Sequence, residues 1–342
     1  MVLKDKTGKR CSAVEVFTLS IKSFIDHLMN VLEKSHAGFS DDEIKWVLTV
    51  PAAWTDSGKQ LMRESAEKAG LHTENVLLIT EPEAAFTCCH YIPTTRLLGS
   101  IPGIMIKEPG TKSMIVDLGD IAADITVLQT TYNGQLKELC RVTGDHCGGT
   151  SVDDRFFKML DEIAGGKLIS ELKEKDHIDL VYYFQRVKLR VRTETKTKVS
   201  VRIPLVAINR KCQEFGGKDL QSAIDSSPYV NEITLVSNIL KFKADLMIKL
   251  FTPTIDGIIT LMKKTFSNRS TNGVSNNVSN IVMVGAFSDC PMTQDAVYKA
   301  FPNNQIIIPK DADLSVMKGA VLFGHQPDYN RSELCDEEGI GK

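Results

Sequence analysis

The residues whose types and spacing could do chemistry are the acids around one glycine turn, in Ser113-Met-Ile-Val-Asp-Leu-Gly-Asp-Ile-Ala-Ala-Asp-Ile-Thr-Val-Leu-Gln129. Two apolar, β-branched runs flank Gly119-Asp120, and this spacing predicts a β-hairpin. Asp117 precedes the turn and Asp124 follows it. An aspartate delivered beside a glycine turn can hold a hydrated Mg²⁺ while backbone N–H groups meet phosphate oxygens. An ordinary hairpin with solvated acidic ends has the same pattern. The rest of the chain has to decide between them.

The flanking segments predict an α/β framework. Residues 1–10 read as the end of a strand pair followed by a polar turn. Val14, Phe17, Ile21, Phe24, Ile25, Leu28, Val31 and Leu32 recur at helical spacing, which predicts a long amphipathic helix ending at Gly38. Strand Ile44–Val50 ends at Pro51, Thr55 caps a helix, Val76–Thr80 is a strand, and a short helix starts at Pro82. Pro102, Gly103, Pro109 and Gly110 mark the lobe boundary. Asn133-Gly134 predicts a second hairpin, and Thr150 with Asp153 a capping box. A charged helix spans 170–192 and a strand 198–203, while 211–229 reads as polar and irregular. Strand 231–236 then leads to two helices, 237–251 and 253–266, the second opened by Pro253. A β-α-β-α run closes the fold, ending with a helix at 313–324. The expected domains are a partial first lobe (1–110) and a second lobe (111–326), followed by a disordered tail (327–342). The second lobe has a core of 111–149 and 230–326 and a smaller α+β subdomain, 150–229.

Composition narrows the class. Hydrophobic residues at 42% and charged residues at 25% fit a folded globular chain. A net charge of −2 argues against a general nucleic-acid or anionic-membrane binder. No apolar run reaches the roughly 18 residues that span a bilayer. The eight cysteines show no CxxC pairing, which fits reduced thiols and a cytoplasmic location. A metal site from Cys88-Cys89-His90 with His146-Cys147 is disfavoured. The sequons at Asn268, Asn277 and Asn330 are expected to be unused.

The strand–Pro51-Ala-Ala-Trp54 segment, Thr80-Glu-Pro-Glu-Ala-Ala85, the Asp117 hairpin, Gly144-Asp145 with Gly148-Gly149, Val282-Met-Val-Gly285 and Asp313 to Gly324 follow in one order. Together they resemble the nucleotide-binding domain of the 70-kDa heat-shock protein family, within the actin–hexokinase–chaperone ATPase superfamily. Gly285-Ala-Phe-Ser-Asp-Cys-Pro291 and Lys318-Gly-Ala-Val-Leu-Phe-Gly-His325 look like its divergent heat shock 70 kDa protein 12A-like branch. The resemblance covers residues 1–326 and implies an actin-like, ribonuclease H-like two-lobed α/β fold that closes on ATP or ADP with Mg²⁺. It implies that Asp117 orders metal-bound water and that Glu81 lies near the same metal and the attacking water. Taken alone, Glu81 also fits a helix N-terminal acid satisfying the dipole. Gly119 belongs to the phosphate turn. Gly148 and Gly149 match a glycine pair approaching the sugar, and Gln185 and Lys188 match residues against adenine. Lys188 on a solvated helix face remains open. Gly285 and Ala286 match the turn under the nucleoside, and Asp313 the last connecting segment.

The departures from the family pattern bear on activity. Its opening hairpin, with a first phosphate aspartate and a phosphate-reaching lysine, has no match, so the first lobe is expected to be incomplete. The family's Asp-x-Gly-Gly-Gly-Thr-x-Asp reads here Asp117-Leu-Gly119-Asp120-Ile121-Ala122-Ala123-Asp124. A left-handed backbone costs a non-glycine residue roughly 1–2 kcal/mol, and β-branched Ile121 tolerates it worst. A carboxylate about 4 Å from a phosphate charge is repelled by roughly 4 kcal/mol at an effective dielectric of about 20. Ala122 cannot donate the hydroxyl bond that threonine would. The expectation is a chaperone-type ATP-binding chain with weak or lost ATPase. The alternatives are a pseudo-ATPase that binds other proteins and an N-terminally truncated fragment of a longer ATP-binding protein, whose bare strand edges would aggregate. A small-metabolite kinase needs a cleft aspartate base that no segment outside these motifs nominates.

Overall fold

The structure, a computed structural model, describes residues 1–5, 7–35, 43–91, 97–98, 108–267 and 278–325. Gly38, Pro102, Gly103, the three sequon asparagines, Cys335 and the 327–342 tail lie outside the described residues.

The chain starts with an antiparallel pair, β1 (Val2–Lys4) and β2 (Arg10–Ser12), that runs into α1 (Ala13–Ser35). Next come β3 (Trp46–Val50), α2 (Asp56–Lys68), β4 (Val76–Thr80) and α3 (Glu81–Tyr91). β3 and β4 pair in parallel and, among the described residues, pair with no other strand. Parallel strands need cover on both faces, and these have it. Trp46, Leu48 and Val50 pack with Ile21, Met62 and Ala66 of α1 and α2. Val47, Leu77 and Ile79 pack on the other side.

The main sheet has the order β5-β13-β12-β6-β7-β8. Its strands are β5 (Leu97–Leu98), β6 (Lys112–Leu118), β7 (Ala123–Thr130), β8 (Leu136–Gly144), β12 (Val278–Val284) and β13 (Gln305–Pro309). β6, β7 and β8 form an antiparallel meander, while β12 runs parallel to both β6 and β13. The sheet is buried on both faces, so its central strands are nearly continuous apolar runs, with Met114, Ile115, Val116 and Leu118 fully enclosed.

Between β8 and β12 lie α4 (Thr150–Ala164), α5 (Leu168–Glu171), α6 (Glu174–Lys188), β9 (Val199–Arg202), α7 (Leu205–Gly216), α8 (Leu220–Asp225), β10 (Ile233–Val236), β11 (Ile239–Phe242) and α9 (Ala244–Ser267). α10 (Pro291–Ala300) and α11 (Ser315–His325) complete the chain.

Several sequence expectations give way here. Residues 211–229 are not irregular. α7 extends to Gly216 and buries Ala207, Ile208 and Cys212, and Asp219 caps α8 by accepting the Ser222 amide at 2.8 Å. Residues 237–242 are not helical, because β10 and β11 form a hairpin whose turn residue Ser237 takes φ 53°. β11 also pairs with β9, so the three-stranded sheet that contains β9 reaches past residue 229. Pro253 does not start a helix but sits inside α9. A mid-helix proline removes a backbone donor. Arg155 ties α4 to α9 beside the proline, donating from Nε to the Leu250 carbonyl at 2.6 Å and from Nη2 to Thr254 Oγ1. Buried Met247, Phe251, Ile258 and Met262 hold both halves of α9 in the core.

α11 was expected with the second lobe, yet it packs against α3 and β3. A Cβ on Gly319 would fall 1.7 Å from the Ala84 carbonyl oxygen, and Ala320 and Phe323 join the Val47–Leu77–Ile79 cluster.

Candidate functional site

The β6–β7 hairpin forms in the register that its alternation predicts, with Asp117 directly opposite Asp124 and Leu118 opposite Ala123. Opposed positions share one face of the sheet, so two like charges confront each other. Burial and the Asp124 charge push the Asp117 carboxyl up to about 6. Asp124 is held by Thr143 of β8, whose hydroxyl donates to its Oδ1 at 2.6 Å. Asp124, the acid that follows the turn in the sequence, thus stands beside Asp117.

A third acid comes from α3. Glu83 reaches back to Thr80, accepting from its amide at 3.1 Å and its hydroxyl at 2.6 Å. This is the carboxylate half of a capping box, and it ties the first turn of α3 to Thr80, with Glu81 at the start of the helix. The spacing Thr80-x-x-Glu83 carries this signal in the sequence. At Thr150–Asp153, where a capping box was expected, none forms. The Thr55 side chain likewise makes no cap bond. Burial, then Asp117, then Asp124 push Glu81 up to about 7.

The turn itself departs from expectation. None of Gly119, Asp120, Ile121 and Ala122 has a positive φ, so the expected left-handed strain at Asp120 and Ile121 is absent. The turn is organised by the start of α4. Gly149 N–H donates to the Gly119 carbonyl at 3.1 Å, Thr150 N–H to that of Asp120 at 2.8 Å, and Gly148 N–H to that of Ile121 at 3.2 Å. The Thr150 hydroxyl adds a second bond to the Asp120 oxygen at 2.6 Å. In a trans peptide the N–H points opposite its C=O, and no peptide bond here is cis. With the carbonyls of 119, 120 and 121 turned onto α4, the amides of Asp120, Ile121 and Ala122 point away from it. Among the described residues, those amides donate to no protein group. Consecutive free amides aimed one way form an anion-binding concavity. Ile121 is 71% exposed, so its side chain leaves the concavity open.

The glycines fit this arrangement sterically. A Cβ on Gly148 would lie 2.3 Å from the Asp120 carbonyl oxygen. Gly285 ends β12 at φ 85°, and a Cβ there would meet Asp117 Oδ1 at 2.5 Å. β12 pairs Val284 with Asp117, so Gly285 backs the acid directly. Ala286 is exposed at the start of a 3₁₀ turn, Ala286–Asp289. Asp313 is exposed nearby; partial burial first, then the Asp313 charge, push half-buried Asp289 up to about 6.

Lys188 does not lie on a solvated face. Its side chain is 2% exposed, and Nζ donates to Gly149 O at 3.1 Å and to Asp153 Oδ1 and Oδ2 at 2.9 and 3.0 Å. Gln185 Nε2 donates to the same Asp153 carboxylate at 2.8 Å. Both side chains expected against adenine are therefore tied to the first turn of α4, with Lys188 wholly enclosed.

Among the described residues, no three of His, Cys, Asp or Glu could hold a metal ion directly. Glu81, Asp117 and Asp124 offer hard carboxylate oxygens that repel one another. That donor set fits a hard, hydrated cation bound through its waters.

A mixed sheet that delivers an acid beside a nest of amides, backed by a glycine at the next strand end, defines an ATPase-domain fold of the heat-shock type. The chain belongs to the Hsp70 protein family, which it matches over residues 18–328. It is similar to heat shock 70 kDa protein 12A of Mus musculus, 29% identical over 392 aligned residues that cover 99% of this chain and 57% of that protein. Heat shock 70 kDa protein 12B of Homo sapiens is 28% identical over 385, covering 96% and 55%. The chain thus spans little more than half the length of these relatives. No described helix is long and apolar enough to cross a membrane.

Proposed function

We propose that this chain binds a nucleoside di- or triphosphate with Mg²⁺ and turns it over weakly or not at all. The observation that carries this is the orientation of the 119–122 turn. Its carbonyls are spent on α4, which leaves the Asp120, Ile121 and Ala122 amides free for phosphate oxygens. Asp117, Glu81 and Asp124 would hold the hydration shell of Mg²⁺, which when bound neutralises phosphate charge. Gly285 and Ala286 would lie under the nucleoside and Asp313 on its rim. Gly148 and Gly149 act by holding the turn.

Weak turnover follows from two side chains. Ala122 supplies no hydroxyl to the terminal phosphate, and exposed Asp120 places a carboxylate at the tip of the turn. Isothermal titration with Mg-ADP and Mg-ATP, alongside a phosphate-release assay, tests the reading. Micromolar binding with negligible release supports it, and no heat with either nucleotide removes it.

A second reading, a chaperone-type module whose working partners are other proteins, is favoured by α1. Phe24, Leu28 and Val31 lie along one helix face, with Phe24 74% exposed. The described cysteines are free thiols, which supports a cytoplasmic setting.

A further inference from the structure

We infer that Lys188 is a positioning residue that strengthens the phosphate turn from behind, its buried charge reaching the Ile121 amide through two peptide groups. The inference rests on the nucleotide reading above. The path is continuous. Lys188 Nζ donates to the Gly149 carbonyl at 3.1 Å. That carbonyl shares a peptide with the Thr150 N–H, which donates to the Asp120 carbonyl at 2.8 Å. The Asp120 carbonyl in turn shares a peptide with the Ile121 N–H, one of the free amides of the turn.

Hydrogen bonds in such a chain polarise one another, by perhaps 10–30% per bond, and more effectively away from water. A cation on the Gly149 oxygen draws electron density along its peptide and makes the Thr150 N–H a stronger donor. The same transfer through the next peptide strengthens the Ile121 N–H. Asp153 balances the ammonium, but its carboxylate is also drawn on by Gln185, and the ammonium keeps its bond to Gly149. Lys188 therefore affects phosphate without touching it. The Asp120 amide is not on this path, because its peptide carbonyl, that of Gly119, accepts from Gly149 N–H instead. It serves as an internal control.

The test is the full chain carrying Lys188→Met with Asp153→Asn, which removes both buried charges together and leaves no lone carboxylate. In ¹⁵N–¹H spectra the Ile121 amide proton should move upfield while that of Asp120 holds. Affinity for Mg-ADP should fall about twofold, the scale of a charge-assisted hydrogen bond weakened by about 10–30%, with affinity for adenosine unchanged. An unmoved Ile121 amide, or equal weakening toward ADP and adenosine, would overturn the inference in favour of a purely structural ion pair. If the unaltered chain binds neither ligand, the nucleotide reading fails, and the Ile121 shift alone decides the relay. Should the double variant not fold, Lys188→Gln with Asp153→Asn keeps a donor toward Gly149 without the charge and is judged by the same readings.

Discussion

Thr150 grips the carbonyl oxygen of Asp120 twice, through its amide at 2.8 Å and its hydroxyl at 2.6 Å. The first residue of α4 thereby sets which way the Asp120–Ile121 peptide faces, and with it the direction of the Ile121 N–H. Thr150→Val removes the hydroxyl bond and keeps the shape. It should cost roughly 0.5–1.5 kcal/mol of stability and weaken Mg-ADP several-fold, measurable by urea unfolding and calorimetry. Gly148→Ala is the harsher companion, since its Cβ would stand 2.3 Å from the same oxygen. Overpacking of this kind costs about 1–3 kcal/mol, and nucleotide binding should be lost with it.

The absence of a positive φ at Asp120 and Ile121 separates two explanations of the altered turn. Strain would be relieved by glycine at either position. Charge would be relieved only at Asp120. The structure favours charge, so Asp120→Gly should tighten Mg-ADP by about 1 kcal/mol, the value for a charge pair near 4 Å in water. Ile121→Gly should leave affinity unchanged and slightly lower stability through added chain entropy. Equal gains from both changes would restore the strain account.

The acid cluster fixes a pH dependence. Glu81 is raised from 4.5 to about 7 and Asp117 from 3.8 to about 6. Between the ordinary and the raised values the folded chain binds more protons than the unfolded one, so stability falls as pH rises through that window. Without Mg²⁺, unfolding free energy should therefore decline from pH 4.5 toward 7, and Glu81→Gln should flatten the decline. Mg²⁺ favours the ionised acids, so its stabilising effect should be larger at pH 7.5 than at pH 5.5. A slope that Glu81→Gln leaves unchanged would contradict this assignment.

The β3–β4 pair and α1 have their own consequence. β3 and β4 bond only to each other among the described residues, and α1 presents Phe24, Leu28 and Val31 outward. Bare strand edges and apolar helix faces both promote association. Phe24→Lys with Leu28→Glu should reduce self-association in sedimentation without lowering the melting temperature, because neither side chain is in the core.

What was legible in the sequence follows from how local each signal is. The Asp117 hairpin, α1, β3, β4 and the closing β-α-β-α run carry their periodicity within a few residues, and their register or extent was readable. α7 and α8 were not, because buried Ile208, Cys212, Leu220 and Ile224 are spaced among charged residues. α9 reads as two helices because Pro253 is a local break signal, whereas the core packing of Phe251 and Ile258 that keeps both halves together is not local. Ser237-Asn238 lacks the glycine that announces a two-residue turn. The site was half legible. Its acids and glycines could be named, but the turn's conformation depends on amides of residues 148–150, and the burial of Lys188 on Asp153 across two helices.

The central claim is that the 119–122 turn still offers its amides to phosphate despite Asp120, Ile121 and Ala122. Titrating Mg-ADP into ¹⁵N-labelled protein tests it directly. The account predicts that the Asp120, Ile121 and Ala122 amide protons move downfield together and saturate with the calorimetric affinity. If nucleotide binds while these amides stay where they are, the phosphates are held elsewhere and the account is wrong.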